Sequence, residues 1–110
     1  MAATARGIAS VVLLALAAGV GAAESPPGDP ARGYRLSESC ASCHDGDGRT
    51  RYGLYPRIAG QTYPYLLTAL KEFRSQERHQ AFAFQMWDPV APLSDQDLRD
   101  LAAYYSGLPW

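Results

Sequence analysis

An uncharged apolar run from Ile8 to Val20 gives way after Ala23 to a chain whose apolar residues come singly or in short groups, spaced for helices. From Glu24 to Gly33 the sequence reads as a short linker that ends in a helix start. Asp29 can cap, and Pro30 suits the first helical position because its missing N–H costs nothing there. The first helix is predicted from Pro30 to about Ser42. A polar, glycine-containing loop follows over Asp45 to Tyr55. Thr62 to Arg74 forms the second helix, with Tyr63, Leu66, Leu70 and Phe73 recurring on one face. Ser75 to Ala81 reads as loop, and Gln85 to Pro92 as poorly helical. The clearest signal comes last: Ser94 caps, Asp97 sits three residues on, and Leu98, Leu101, Ala102 and Tyr105 form a stripe before Gly107 and Pro109 stop the helix. No stretch alternates as a strand should. The expected architecture is a small all-α domain whose long connections wrap something.

Composition changes this picture in one respect. The 110 residues are 47% hydrophobic, but after residue 23 the share falls to about 40%. All twelve aromatic residues lie in that remainder beside only eleven Val, Ile and Leu. That is a thin aliphatic core for a domain whose size already limits burial, and such domains are often completed by a disulfide, metal or cofactor.

The N-terminus has the form of an export signal: Arg6 in a short basic segment, the apolar run, then small residues ending at Ala22-Ala23. Residues 1–23 are therefore expected to be a signal peptide, cleaved after Ala22 or Ala23, and residues 24–110 the functional domain outside the cytoplasm, in the periplasm. An uncleaved anchor is the alternative, since Gly7 to Ala23 lies at the lower limit of a spanning helix. No second apolar run approaches that length. Without Arg6, nine basic and eleven acidic residues leave a side-chain charge of −2. Nothing in that balance favours nucleic acid, which calls for a basic stripe.

The decisive motif is Cys40-Ala41-Ser42-Cys43-His44, a C-x-x-C-H. Two thiols three residues apart at a helix end can add across both vinyl groups of haem, and the adjacent imidazole then lies under the iron. A dithiol redox pair would need a βαβ setting, which is missing. Zinc would need four ligands, and Cys40, Cys43, His44 and His79 do not match a common finger. A local disulfide is the default for two cysteines in an exported chain. A second axial ligand to a haem iron could come from Met86, the only methionine besides Met1, or from His79, which stands in a polar run.

These residues resemble the class I c-type cytochromes, particularly the bacterial branch that includes small monohaem carriers and di-haem proteins with two such domains. The resemblance runs from Gly33 to Gly107. Gly33 stands seven residues before Cys40, Asp47-Gly48 follows the haem motif, and Tyr55 to Gln61 resembles a Pro-x-Leu-Ala-Gly-Gln segment. The middle and last helices share the branch's pattern, and Met86 lies seven residues before Leu93. Two departures stand out: Asp45 and Gln76 occupy positions where the branch commonly has glycine. The segment Gln80 to Phe84 is also more aromatic than usual, and its rings are expected to pack in the core near the haem, with a docking surface as the alternative.

The resemblance implies a class I cytochrome c fold around one covalent haem c bound by Cys40 and Cys43, with His44 as proximal and Met86 as distal ligand. It further implies that the Pro56 carbonyl accepts the other ring N–H of His44, that Gly33 permits close crossing of the first and last helices against Tyr104 or Tyr105, and that Arg57, Gln61 and Arg78 are candidates for the haem propionates. With both axial positions filled there is no site for a substrate, so the expectation is electron transfer and not catalysis. The leading reading is a carrier between a respiratory donor and an acceptor such as a terminal oxidase, with redox proteins as partners. The alternative is a cytochrome subunit of an extracytoplasmic dehydrogenase, for example for sulfur compounds or alcohols.

Overall fold

The computed structural model describes residues 1–13, 27–51 and 53–110. The cleavage site after Ala22 or Ala23, and most of the apolar run before it, lie outside the described residues. No described helix is long and apolar enough to cross a membrane.

Among the described residues the domain has five α-helices: α1 (Pro30–Leu36), α2 (Glu38–His44), α3 (Tyr63–Arg74), α4 (Trp87–Val90) and α5 (Asp95–Ser106), with a 3₁₀ turn over Ala83–Met86 leading directly into α4. Among the described residues there is no strand. The helix starts follow from local chemistry. Asp29 accepts from the Ala31 N–H at 2.9 Å to cap α1. At α5 the Ser94 hydroxyl accepts from the Asp97 N–H while the Asp97 carboxylate accepts from the Ser94 N–H, a reciprocal pair that satisfies two otherwise orphaned donors.

Two elements differ from their sequence expectation. The first helix is broken at Ser37 and resumes through His44, so that its two halves are separate short helices. The Ser37 hydroxyl donates to the Tyr34 carbonyl at 2.7 Å, a side-chain bond that competes with the helical ladder there. Met86 stands at the end of a 3₁₀ turn running straight into α4, and not in a non-helical loop. The Trp87 indole N–H donates to the Arg78 carbonyl at 3.0 Å, and Val90 is 2% exposed, so this segment is pinned at both ends.

The core is the α5 stripe read from the sequence. Leu98, Leu101, Ala102 and Tyr105 are all buried, and Leu66 of α3 clusters with Leu101, Ala102 and Tyr105. Crossing α5 closely, α1 depends on two glycines. A methyl on Gly33 would stand 2.0 Å from the Asp100 carbonyl oxygen and 2.8 Å from the Tyr104 Cβ, and one on Gly28 would stand 1.9 Å from the Arg99 oxygen. Tyr104 is thus the residue opposite Gly33, while Tyr105 turns into the interior.

Both departures from glycine fall at left-handed backbone. Asp45 has φ 62° and ψ 161°, a region almost reserved for glycine, and is held there by its carboxylate accepting from the Arg51 N–H at 2.6 Å. Gln76, one residue past the cap of α3, has φ 63°. Gln76→Gly removes the Cβ clash of that conformation and should raise unfolding stability by about 0.5 kcal/mol, after the greater entropy of glycine in the unfolded chain is deducted. Denaturant titration of the two proteins measures it, and equal midpoints would contradict the strain.

Candidate cofactor site

The last turn of α2 delivers three side chains to one place. Cys40 lies one turn before His44, Cys43 immediately before it, and α2 ends there because Asp45 leaves the helical region. Neither cysteine is in a disulfide; Cys40 is half-buried and Cys43 exposed. Burial pushes the Cys40 thiol up from its ordinary range.

His44 is 5% exposed, and its Nδ1 lies 2.8 Å from the Pro56 carbonyl oxygen. A carbonyl can only accept, so Nδ1 carries the proton and donates, leaving Nε2 as a free lone pair. The Pro56 loop is itself fixed: the Gly48 carbonyl accepts from both Ile58 N–H and Ala59 N–H. Tyr55 meets the imidazole edge-on at 6.3 Å between centroids.

These groups line a cavity of about 390 Å³. Its wall is apolar for most of its extent, drawn from Ile58, Leu66, Leu70, Phe73, Leu101 and Ala102, and Met86 faces the same space. The volume falls within the range of small-molecule and cofactor pockets. His79 is exposed, with Nδ1 bonded to the Glu77 carbonyl at 2.8 Å, and is not among the residues lining the cavity.

The donor set tests which group fits. Among the described residues, no three Cys, His, Asp or Glu side chains converge as a bare metal ion needs. One imidazole and one thioether facing an apolar cavity suit a metal whose remaining positions are filled by a macrocycle, and two cysteine sulfurs at its border suit covalent attachment. A polar fringe is also present. Arg57, Gln61 and Arg78 all border the cavity. Arg57 stacks 4.6 Å from the Trp110 ring and donates to the Pro109 carbonyl at 3.3 Å, while its Nε is buried without a partner. Such an orphan donor fits an anionic edge of the occupant.

Phe82 and Phe84 correct an expectation. They are 68% and 54% exposed, so they are not core. Phe82 borders the cavity mouth, as do Leu54 and Tyr65, which are also largely exposed. Residue type signalled aromatic packing, but the direction of a side chain on an irregular segment has no period to reveal it. Asp100 was missed altogether. It lies on α5 off the apolar stripe yet is 1% exposed, accepting from the Asp29 N–H at 2.7 Å, Arg32 at 2.7 Å and Gln96 at 2.8 Å.

Comparison with known proteins agrees with this geometry. The sequence model of the cytochrome c family matches residues 30–108. Cytochrome c-554(548) of Halomonas halodenitrificans is 38% identical over 79 residues, covering 72% of this chain and 95% of that protein. Cytochrome c4 of Pseudomonas aeruginosa is 33% identical over 96 residues, 87% of this chain but 46% of its own length. The crystal structure of reduced recombinant cytochrome c4 from Pseudomonas stutzeri superposes with a TM-score of 0.67 at 33% identity, covering 74% of this chain and 46% of that one. The chain thus spans nearly all of the first relative and about half of the cytochrome c4 proteins.

Proposed function

The chain belongs to the cytochrome c family, and we propose that it is a periplasmic one-electron carrier whose covalent haem is ligated by His44 and Met86, shuttling between a respiratory donor and an acceptor such as a terminal oxidase. The family carries covalent haem c, for which Cys40 and Cys43 are the attachment points, and its members transfer electrons. One observation supports the ligand pair above all: Met86 and His44 face one apolar cavity and His79 does not.

When bound, haem c supplies the ferric–ferrous couple. The protein's part is to hold it and set its bias. The Pro56 carbonyl orients His44 and makes the imidazole a better donor. Met86 offers a soft thioether, which favours the reduced state, and the apolar wall disfavours the additional charge of ferric iron. Arg57, Gln61 and Arg78 are the groups placed to meet the propionates. Residues 1–23 act as the export address, with residues 24–110 as the cytochrome domain.

One feature favours a second reading. Leu54, Tyr65 and Phe82 leave an apolar rim at the cavity, which suits a permanently held cytochrome subunit of an extracytoplasmic dehydrogenase better than a transient carrier. Size-exclusion of protein purified at native expression level separates the two. The carrier elutes alone near monomer size; constant co-elution with a dehydrogenase chain would establish the subunit reading instead.

A further inference from the structure

Past Gly107, which caps α5, the chain runs Leu108-Pro109-Trp110, with no period to say what those residues do. The structure lays them against the loop that orients His44. The Gly60 N–H donates to the Tyr105 carbonyl at 2.9 Å, and a methyl on Gly60, where φ is 74°, would stand 3.0 Å from both the N and the Cα of Trp110. Gly60 thus lets two backbones touch. Arg49 donates to the Trp110 carbonyl at 3.4 Å, so the backbone of Trp110 is held although the residue is 71% exposed.

An exposed indole held in one place needs a reason, and its neighbour supplies one. The Arg57 guanidinium lies 4.6 Å from the centroid of the Trp110 ring and donates to the Pro109 carbonyl at 3.3 Å. Arg57 follows Pro56, whose carbonyl accepts from His44, and it borders the cavity. Arg78, which also borders it, lies 4.8 Å from the Phe73 ring. Among the described residues neither cation pairs with a carboxylate; the ion pairs belong to Arg32 and Arg74. A carboxylate would neutralise such a cation. A ring face holds it through the ring quadrupole and leaves its charge and in-plane N–H groups for another acceptor. The Arg57 Nε, buried without a partner, is such a group.

We propose that Trp110 is a positioning residue for the redox centre: its ring holds the Arg57 guanidinium at the cavity border, where the cation offsets the anionic edge of the haem and raises the reduction potential. A fixed positive charge stabilises the electron-richer ferrous state over the ferric one. Released from the ring, the guanidinium turns to water, where its charge is screened. Trp110 is not among the residues lining the cavity and acts only through Arg57. The proposal rests on the reading of the cavity as a haem site and is independent of which residue fills the distal position.

Trp110→Ala in the haem-loaded protein removes the ring and leaves the cavity wall in place. Spectroelectrochemical titration should show the ferrous–ferric equilibrium moving about threefold toward ferric, the worth of one exposed cation–π contact. Trp110→Phe, which restores a ring face, should recover most of that shift, and Arg57→Gln should lower the potential by at least as much as Trp110→Ala. In the Arg57→Gln background Trp110→Ala should change nothing further. An unchanged or higher potential in Trp110→Ala overturns the proposal. So does an undiminished fall in the Arg57→Gln background, which would mark a loosened segment and not a displaced cation. Should Trp110→Ala not accumulate as folded holoprotein, Trp110→Leu keeps apolar bulk without a ring and should give the same fall. Failure of the haem reading is distinguishable, because the wild type would then carry no covalent haem to titrate.

Discussion

Met86→Ala should abolish the weak sulfur-to-iron charge-transfer band, lower the reduction potential and open the ferrous protein to carbon monoxide. Met86 faces the same cavity as His44. Its removal leaves His44 as the remaining imidazole or methionine among the residues lining the cavity, so a haem iron held there would lose the second of its two protein ligands. The soft thioether that favoured ferrous iron is lost and water gains access. A fall of roughly 0.1 V or more is expected, a modest part of the about 0.8 V over which axial ligands set potentials. Stability should fall by about 2 kcal/mol, the low end for a large-to-small change, since Met86 is only half-buried. His79→Ala is the matched control and should alter neither spectrum nor potential. A retained band in Met86→Ala, or its loss in His79→Ala, would reassign the distal ligand.

The second large effect concerns folding. Asp100→Ala should destabilise the holoprotein by about 3 kcal/mol, because it removes a buried carboxylate on which three donors converge. Arg32 side-chain exposure of 42% keeps the figure from being larger, since that cation can turn to water once its partner is gone. Burial by itself would raise the Asp100 carboxyl, but the hydrogen bonds from Asp29, Arg32 and Gln96 outweigh it and hold it below the usual carboxylate range. Asp97 is lowered as well, chiefly by the Ser94 backbone N–H, and also pairs with Arg32. A carboxyl depressed in the folded state contributes its stability in full above its ordinary value of about 4, and loses it as the pH falls through the folded value. The gap between wild type and Asp100→Ala should therefore be widest near neutrality and close in acid. Urea titrations at pH 7 and at pH 3 measure it; a gap that does not narrow would show that the loss is packing and not charge.

The contrast between these two sites explains what was legible beforehand. Met86, Cys40, Cys43 and His44 could be named together from the sequence because each carries a rare chemistry at a characteristic spacing, and all four line one cavity. The α5 caps were equally plain, since Ser94 and Asp97 act across three residues of one chain segment. Asp100 was not legible: the backbone and side-chain partners that justify its burial, Asp29 and Arg32, lie 71 and 68 residues earlier. The break at Ser37 was hidden for a related reason, as helix propensity carries no information about a hydroxyl that bonds to Tyr34. Phe82 and Phe84 were expected in the core because aromatic residues usually supply it. On a segment with no helical or strand period, nothing in the order of residues says which way a ring points. Asp45 and Gln76 show the opposite case: both stand where the family commonly has glycine, and both hold the positive φ that side chains rarely adopt.

The central claim is that His44 and Met86 close both axial positions, so that the protein passes electrons and binds no substrate at iron. Adding carbon monoxide to the ferrous wild-type protein at neutral pH tests this most directly. The absorption spectrum should stay that of the six-coordinate ferrous form, whereas ready conversion to a carbon monoxide adduct would contradict the claim.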